Sequence, residues 1–159
     1  MTNEDPHDLL AQITTASRIV LFLDYDGTLA DFALTPDQID PSPEVIALLT
    51  RLSYIPQLRV IVLSGRRLGH IQALLPVPHI LLAGTYGLEM QLPDGKHLDR
   101  AQLSTIRPTL DHLKLQWTRL IAGRVGFYLE DKVWALALHA KYAEEGEAQQ
   151  ILKQAAALA

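Results

Sequence analysis

Ile19-Val20-Leu21-Phe22-Leu23-Asp24-Tyr25-Asp26-Gly27-Thr28 is a short apolar, β-rich run that ends abruptly in acid, glycine and threonine. A continuous run of this kind predicts a strand buried on both faces, as in the centre of a parallel sheet. Working outward, a second such run at 59–63 ends in Ser64-Gly65-Arg66, and a third at 80–83 ends in Gly84. Between the first two, Ser42-Pro43-Glu44 opens a helix, with Ser42 as its cap and Pro43 in its first turn. Val45, Ile46, Leu48, Leu49 and Leu52 give that helix an apolar face. A helix over 67–75, stopped by Pro76, separates the second and third runs. Strand and helix in alternation predict an α/β fold with a parallel sheet and right-handed crossovers. Ligands of such sheets lie beyond the carboxyl ends of the strands, which directs attention to Asp24, Ser64 and Gly84.

The pattern changes after residue 84. Residues 88–92 and 96–98 flank Pro93-Asp94-Gly95 and read as a hairpin. A helix over 106–121 carries Leu110, Leu113, Trp117, Leu120 and Ile121 at helical spacing, with Gly123 as its stop. Residues 125–131 and 133–140 alternate like antiparallel strands with one wet face, and a helix covers 144–158. In that helix Glu144, Glu145 and Glu147 suit the positive end of the dipole. The chain has 159 residues, 48% hydrophobic and 20% charged, with no cysteine and a net charge of −4. That balance is globular, and it excludes disulfide and thiolate chemistry. No basic run offers a nucleic-acid face and no apolar stretch is long enough for a membrane helix. The expectation is a cytoplasmic protein that acts on a small molecule. His70, His79, His97 and His112 are dispersed without metal-ligand spacing.

Asp24 and Asp26 lie two residues apart, so in extended chain both carboxylates face the same way. Like charges that close repel unless a cation lies between them or one holds a proton. Asp24 can then attack phosphorus, while Asp26 protonates the leaving alcohol and later activates water. Gly27 lets the backbone turn toward a phosphate, with Thr28 beside it. A carboxylate approaching a phosphate dianion meets repulsion of about 4 kcal/mol per charge pair at 4 Å and an effective dielectric near 20. Such a site calls for Mg²⁺, held by oxygen donors from Asp24 and Asp26. Ser64, Gly65 and Arg66, at a helix start, form a matching grip for the phosphate.

These residues resemble the haloacid-dehalogenase superfamily of phosphotransferases, and within it the trehalose-6-phosphate phosphatases. Residues 24–28 look like the first superfamily motif, and Ser64-Gly65-Arg66 like the second. The narrower resemblance rests on Gly84-Thr85-Tyr86-Gly87-Leu88-Glu89, on Leu129-Glu130-Asp131-Lys132 and on Ala135-Leu136-Ala137-Leu138-His139. It departs at Tyr86, where the family more often has His, and at Ala140-Lys141, where it often has Tyr-Arg. The resemblance implies a Rossmann-like core over 1–100, incomplete, and part of an inserted α+β cap over 101–159. It makes Glu130, Lys132 and His139, and with them Glu89, candidates for contacts to a sugar. It also implies a lysine and an acidic loop beyond the cap, and no Gly-Asp-Asp or similar cluster follows Asp26. The sequence therefore reads as the front part of a phosphatase of trehalose 6-phosphate acting through an aspartyl-phosphate. Two alternatives stay open: another phosphosugar such as sucrose phosphate, and a non-catalytic module that binds a phosphosugar or a partner chain. Oligomers, or a further C-terminal segment, are expected to cover the sheet edges left bare.

Overall fold

The computed structural model describes residues 6–31 and 40–159. The chain divides into two compact units, Met1–Leu98 and Asp99–Ala159. In the first, α1 (Pro6–Thr15) precedes β1 (Ile19–Asp24), α2 (Pro43–Ser53), β2 (Leu58–Leu63), α3 (Leu68–Leu74) and β3 (Leu81–Gly84). A 3₁₀ turn, Thr85–Gly87, leads into β4 (Glu89–Gln91) and β5 (His97–Asp99). The five strands form one sheet in the order β1-β2-β3-β4-β5. β1, β2 and β3 are parallel, as the strand–helix alternation predicts, and β4 turns back antiparallel along β3. Ser42 caps α2 as expected, its Oγ accepting the Val45 N–H. α1 was not anticipated by the apolar periodicity.

One face of this sheet carries the core. Leu58, Val60, Val62 and Leu82 lie buried against Leu49 of α2 and Leu68, Ile71 and Leu74 of α3, with Ile19, Leu21 and Leu23 of β1 packed alongside. The other face differs from the expectation of strands buried on both sides. Val20, Phe22 and Leu63 point out of the core and remain 46%, 61% and 40% exposed. A continuous apolar run states only that both faces favour burial; it cannot supply the layer that covers the second one. β1 is also the sheet's edge, with no strand beyond it among the described residues.

The second unit contains α4 (Leu103–Leu120), the hairpin β6 (Tyr128–Asp131) and β7 (Leu136–His139), and α5 (Glu145–Leu158). α4 begins three residues before the expected start, which moves Pro108 from the first turn of the helix into its second. Trp134, Ile151 and Ala155 are buried, and the Trp117 indole N–H donates to the Ala155 carbonyl, tying α4 to α5. The side chain of Glu144 caps α5 by accepting from the Glu147 N–H, which is the role its position predicts. No helix among the described residues is long and apolar enough to cross a membrane.

Candidate active site

Parallel pairing sets the first part of the site. Asp24, the last residue of β1, lies opposite Leu63 of β2, so Ser64 leaves the sheet at the same end. The Ser64 N–H donates to the Ala83 carbonyl, which brings Gly84 and the turn after it to that edge as well. Asp24, Gly27 and Thr28 are exposed, Asp26 is half-buried, and Tyr25 between them is buried in the core. Turning a buried strand end so sharply needs a special backbone. Gly27 has φ 87°, and the Tyr25 carbonyl accepts the N–H groups of Thr28, Leu29 and Ala30.

Asp26 is held by Arg66. The guanidinium Nε lies 3.0 Å from each carboxylate oxygen and a terminal nitrogen lies 2.7 Å from Oδ1. The Arg66 side chain is 9% exposed, and its guanidinium carbon lies 5.7 Å from the centre of the Tyr25 ring. Planar, two-point ion pairing of this kind fixes orientation as well as charge. Burial pushes the Tyr25 phenol up, and Arg66 pulls it the other way. Ser64 is buried, and its Oγ accepts the Arg66 N–H, shaping the loop over 64–66. Sequence reasoning brought Asp26 and Arg66 to one site but did not see that they pair.

The turn over 84–89 explains its own composition. Gly84 lies so close to α3 that a Cβ there would be 2.4 Å from the Leu68 nitrogen. Thr85 is fully buried, and its hydroxyl donates to Glu89, whose carboxylate also accepts the Leu68 N–H at the start of α3. Glu89 therefore has a capping task within this unit. Thr85 and Tyr86 both have positive φ, 46° and 56°. A left-handed backbone costs roughly 1–2 kcal/mol for a residue with a Cβ.

Glu130, Lys132 and His139 come together on the hairpin of the second unit. Glu130 Oε2 lies 2.9 Å from His139 Nε2 and 3.6 Å from Lys132 Nζ. The His139 ring stacks on Tyr128, its partner across the strands. Asp131 points the other way, as alternation along a strand requires. Both its oxygens are bound by Arg107, and Lys114 adds a contact at 2.9 Å. Arg107 thereby holds the Asp131 carboxyl well below the usual carboxylate range.

The family profile described as Trehalose-phosphatase matches residues 22–158. The chain belongs to the trehalose-phosphatase family. Trehalose-phosphate phosphatases of Mycobacterium ulcerans and Mycobacterium avium are 31% and 34% identical to it, over 79% and 75% of its length. The aligned parts are 32% and 30% of those relatives, so the chain spans about a third of their length. Among solved structures, the C-terminal domain of trehalose-6-phosphate phosphatase from Candida albicans covers 98% of this chain with TM-score 0.77 and 21% identity. The match takes in 54% of that chain. The C-terminal domain of a Candida albicans trehalose synthase regulatory protein covers 94% with TM-score 0.73 and 11% identity. At these identities the likeness is one of fold: the described residues form the expected α/β fold with a largely parallel sheet.

For a metal the donors are few. Among the described residues no three acidic or histidine side chains cluster as a ready metal site. Magnesium, however, keeps several waters and takes only one or two protein carboxylates alongside phosphate oxygens. The exposed Asp24 carboxylate fits that demand. The Asp26 carboxylate is engaged by Arg66, which leaves its backbone carbonyl as the second protein donor.

Proposed function

We propose that this chain carries the phosphoryl-transfer site of a sugar-phosphate phosphatase, with trehalose 6-phosphate as substrate. The reading is supported by one juxtaposition above all: Asp24, the Asp26–Arg66 pair and the Ser64 loop share the carboxyl edge of one parallel sheet. An Asp24 oxygen attacks phosphorus as the bond from phosphorus to the sugar oxygen breaks, and Asp26 gives that oxygen its proton. Water then attacks the aspartyl-phosphate, Asp26 takes a proton from it, and inorganic phosphate leaves with Asp24 restored. The Ser64–Arg66 loop, with Gly27 and Thr28, borders the place of the phosphate, and the Ser64 hydroxyl, whose oxygen accepts the Arg66 N–H, donates its own hydrogen to it. Mg²⁺ bound by Asp24 and the Asp26 carbonyl supplies positive charge against the repulsion between carboxylate and phosphate. Glu130, Lys132 and His139 contact the sugar. Residues 1–100 are the catalytic core in this reading, and 101–159 the sugar-reading cap. A cysteine-free composition suits a reducing, cytoplasmic setting.

Phosphate release from a panel of phosphosugars, with Mg²⁺ and with chelator, tests this. The expected result is Mg²⁺-dependent release, fastest from trehalose 6-phosphate and absent in Asp24→Asn. Preference for sucrose phosphate would change the substrate and keep the chemistry. No release from any phosphosugar would favour a non-catalytic module that binds a phosphosugar or a partner chain.

A further inference from the structure

The turn after β3 holds an unfavourable backbone in place with unusual thoroughness. Thr85, Tyr86 and Gly87 have φ of 46°, 56° and 87° in succession. Only the glycine adopts such angles freely, and a β-branched Thr resists them most. The strain is nonetheless fixed from several sides. The Thr85 N–H donates to the Arg66 carbonyl at 2.7 Å and the Tyr86 N–H to the Ser64 carbonyl at 2.9 Å. The Thr85 hydroxyl donates to Glu89 at 2.8 Å, and the Leu88 N–H to the Thr85 carbonyl at 3.2 Å. Strain that the surroundings over-determine in this way gathers at functional sites.

What the strain achieves is the position of one side chain. Tyr86 is 78% exposed, while Thr85 before it and Gly87 after it are buried. Its phenol end lies against the phosphate loop: a Cβ on Gly65 would lie 2.7 Å from the Tyr86 Cζ and from its hydroxyl oxygen. An aromatic ring presents an apolar face and a polar tip, and a sugar ring presents an apolar C–H face with hydroxyls around its rim. The two are complementary.

We propose that Tyr86 is the platform on which the sugar ring of the substrate lies while its phosphate occupies the Ser64–Arg66 loop. The proposal rests on the phosphatase reading above and adds a substrate-contacting residue to it. Calorimetric binding of trehalose 6-phosphate and of inorganic phosphate, with Mg²⁺ and in an Asp24→Asn background so that nothing is consumed, tests it. Tyr86→Ala is expected to weaken trehalose 6-phosphate about tenfold and inorganic phosphate by less than about twofold. Tyr86→Phe, which keeps the ring, is expected to stay within about twofold of the parent for both ligands. An unchanged affinity of Tyr86→Ala for trehalose 6-phosphate would overturn the platform. So would an equal loss for inorganic phosphate, which would make the ring a support of the loop. So would a loss in Tyr86→Phe as large as in Tyr86→Ala, which would move the contact to the hydroxyl. If the protein with Tyr86 intact binds phosphate but holds trehalose 6-phosphate no tighter, the platform alone fails. If it binds neither, the phosphatase reading fails, and the platform with it.

Discussion

Asp24 and Asp26 are separated by one residue yet stand in different surroundings. Asp24 is exposed at the end of β1, open to a ligand; Asp26 is half-buried and gripped by Arg66. In the proposed reaction Asp24 attacks, and Asp26 has to exchange a bond to Arg66 for one to the substrate oxygen before it can move a proton. Asp24→Asn is expected to abolish phosphate release, because an amide is a poor nucleophile of the same shape. Asp26→Asn is expected to reduce turnover by about 10²–10⁴-fold, the usual worth of general acid–base catalysis. Steady-state release of phosphate from trehalose 6-phosphate measures both. Near-normal turnover in Asp26→Asn would mean that another group carries the proton.

At the scale of elements, two joints hold the units in shape. In the first unit β3 meets α3 at Gly84, with no room for a Cβ. Gly84→Ala must push α3 away from the sheet and is expected to cost about 1–3 kcal/mol in urea unfolding. In the second, α4 meets β6 through Arg107, Lys114 and Asp131. The folded protein lowers the carboxyl pKa of Asp131, with the Arg107 hydrogen bonds as the largest cause. A depressed pKa adds stability above the unfolded value, and that stability is lost as pH falls toward the folded one. Asp131→Asn is therefore expected to lose about 1–2 kcal/mol at pH 7, modest because both partners remain partly solvated. The gap to the parent should narrow as pH drops below about 4. A gap constant between pH 7 and pH 3 would assign the loss to packing instead of charge.

Across the whole molecule, the β1 edge and the bare face beside it matter most. Val20 and Phe22 lie exposed on a strand whose outer backbone groups meet no further strand among the described residues. Long apolar edges invite pairing with other chains, and a single lysine on such a strand discourages it. The protein is expected to associate in a concentration-dependent way in sedimentation velocity, and Phe22→Lys is expected to shift it toward monomer. A parent chain that stays monomeric at high concentration would show that this surface is tolerated bare.

Much of this protein was written locally. Apolar runs that ended in Asp24, Ser64 and Gly84 set the parallel sheet and the edge at which those residues meet, because strand direction and crossover handedness leave little choice. The cap at Ser42 and the acidic start of α5 at Glu144 were legible for the same reason: they depend on near neighbours in the chain. Glu130, Lys132 and His139 were singled out only by the family resemblance; that they meet on one face is what the hairpin register adds. Other features needed partners from distant segments. That Arg66 holds Asp26, that Glu89 caps α3, and that Tyr86 stands on Gly65 each join residues which no periodicity connects. The bare face of β1 belongs with these features. Its residues declare how apolar they are, but whether a second layer lies over Phe22 is decided by the rest of the fold, since burial belongs to a pair of surfaces and a sequence states only one of them.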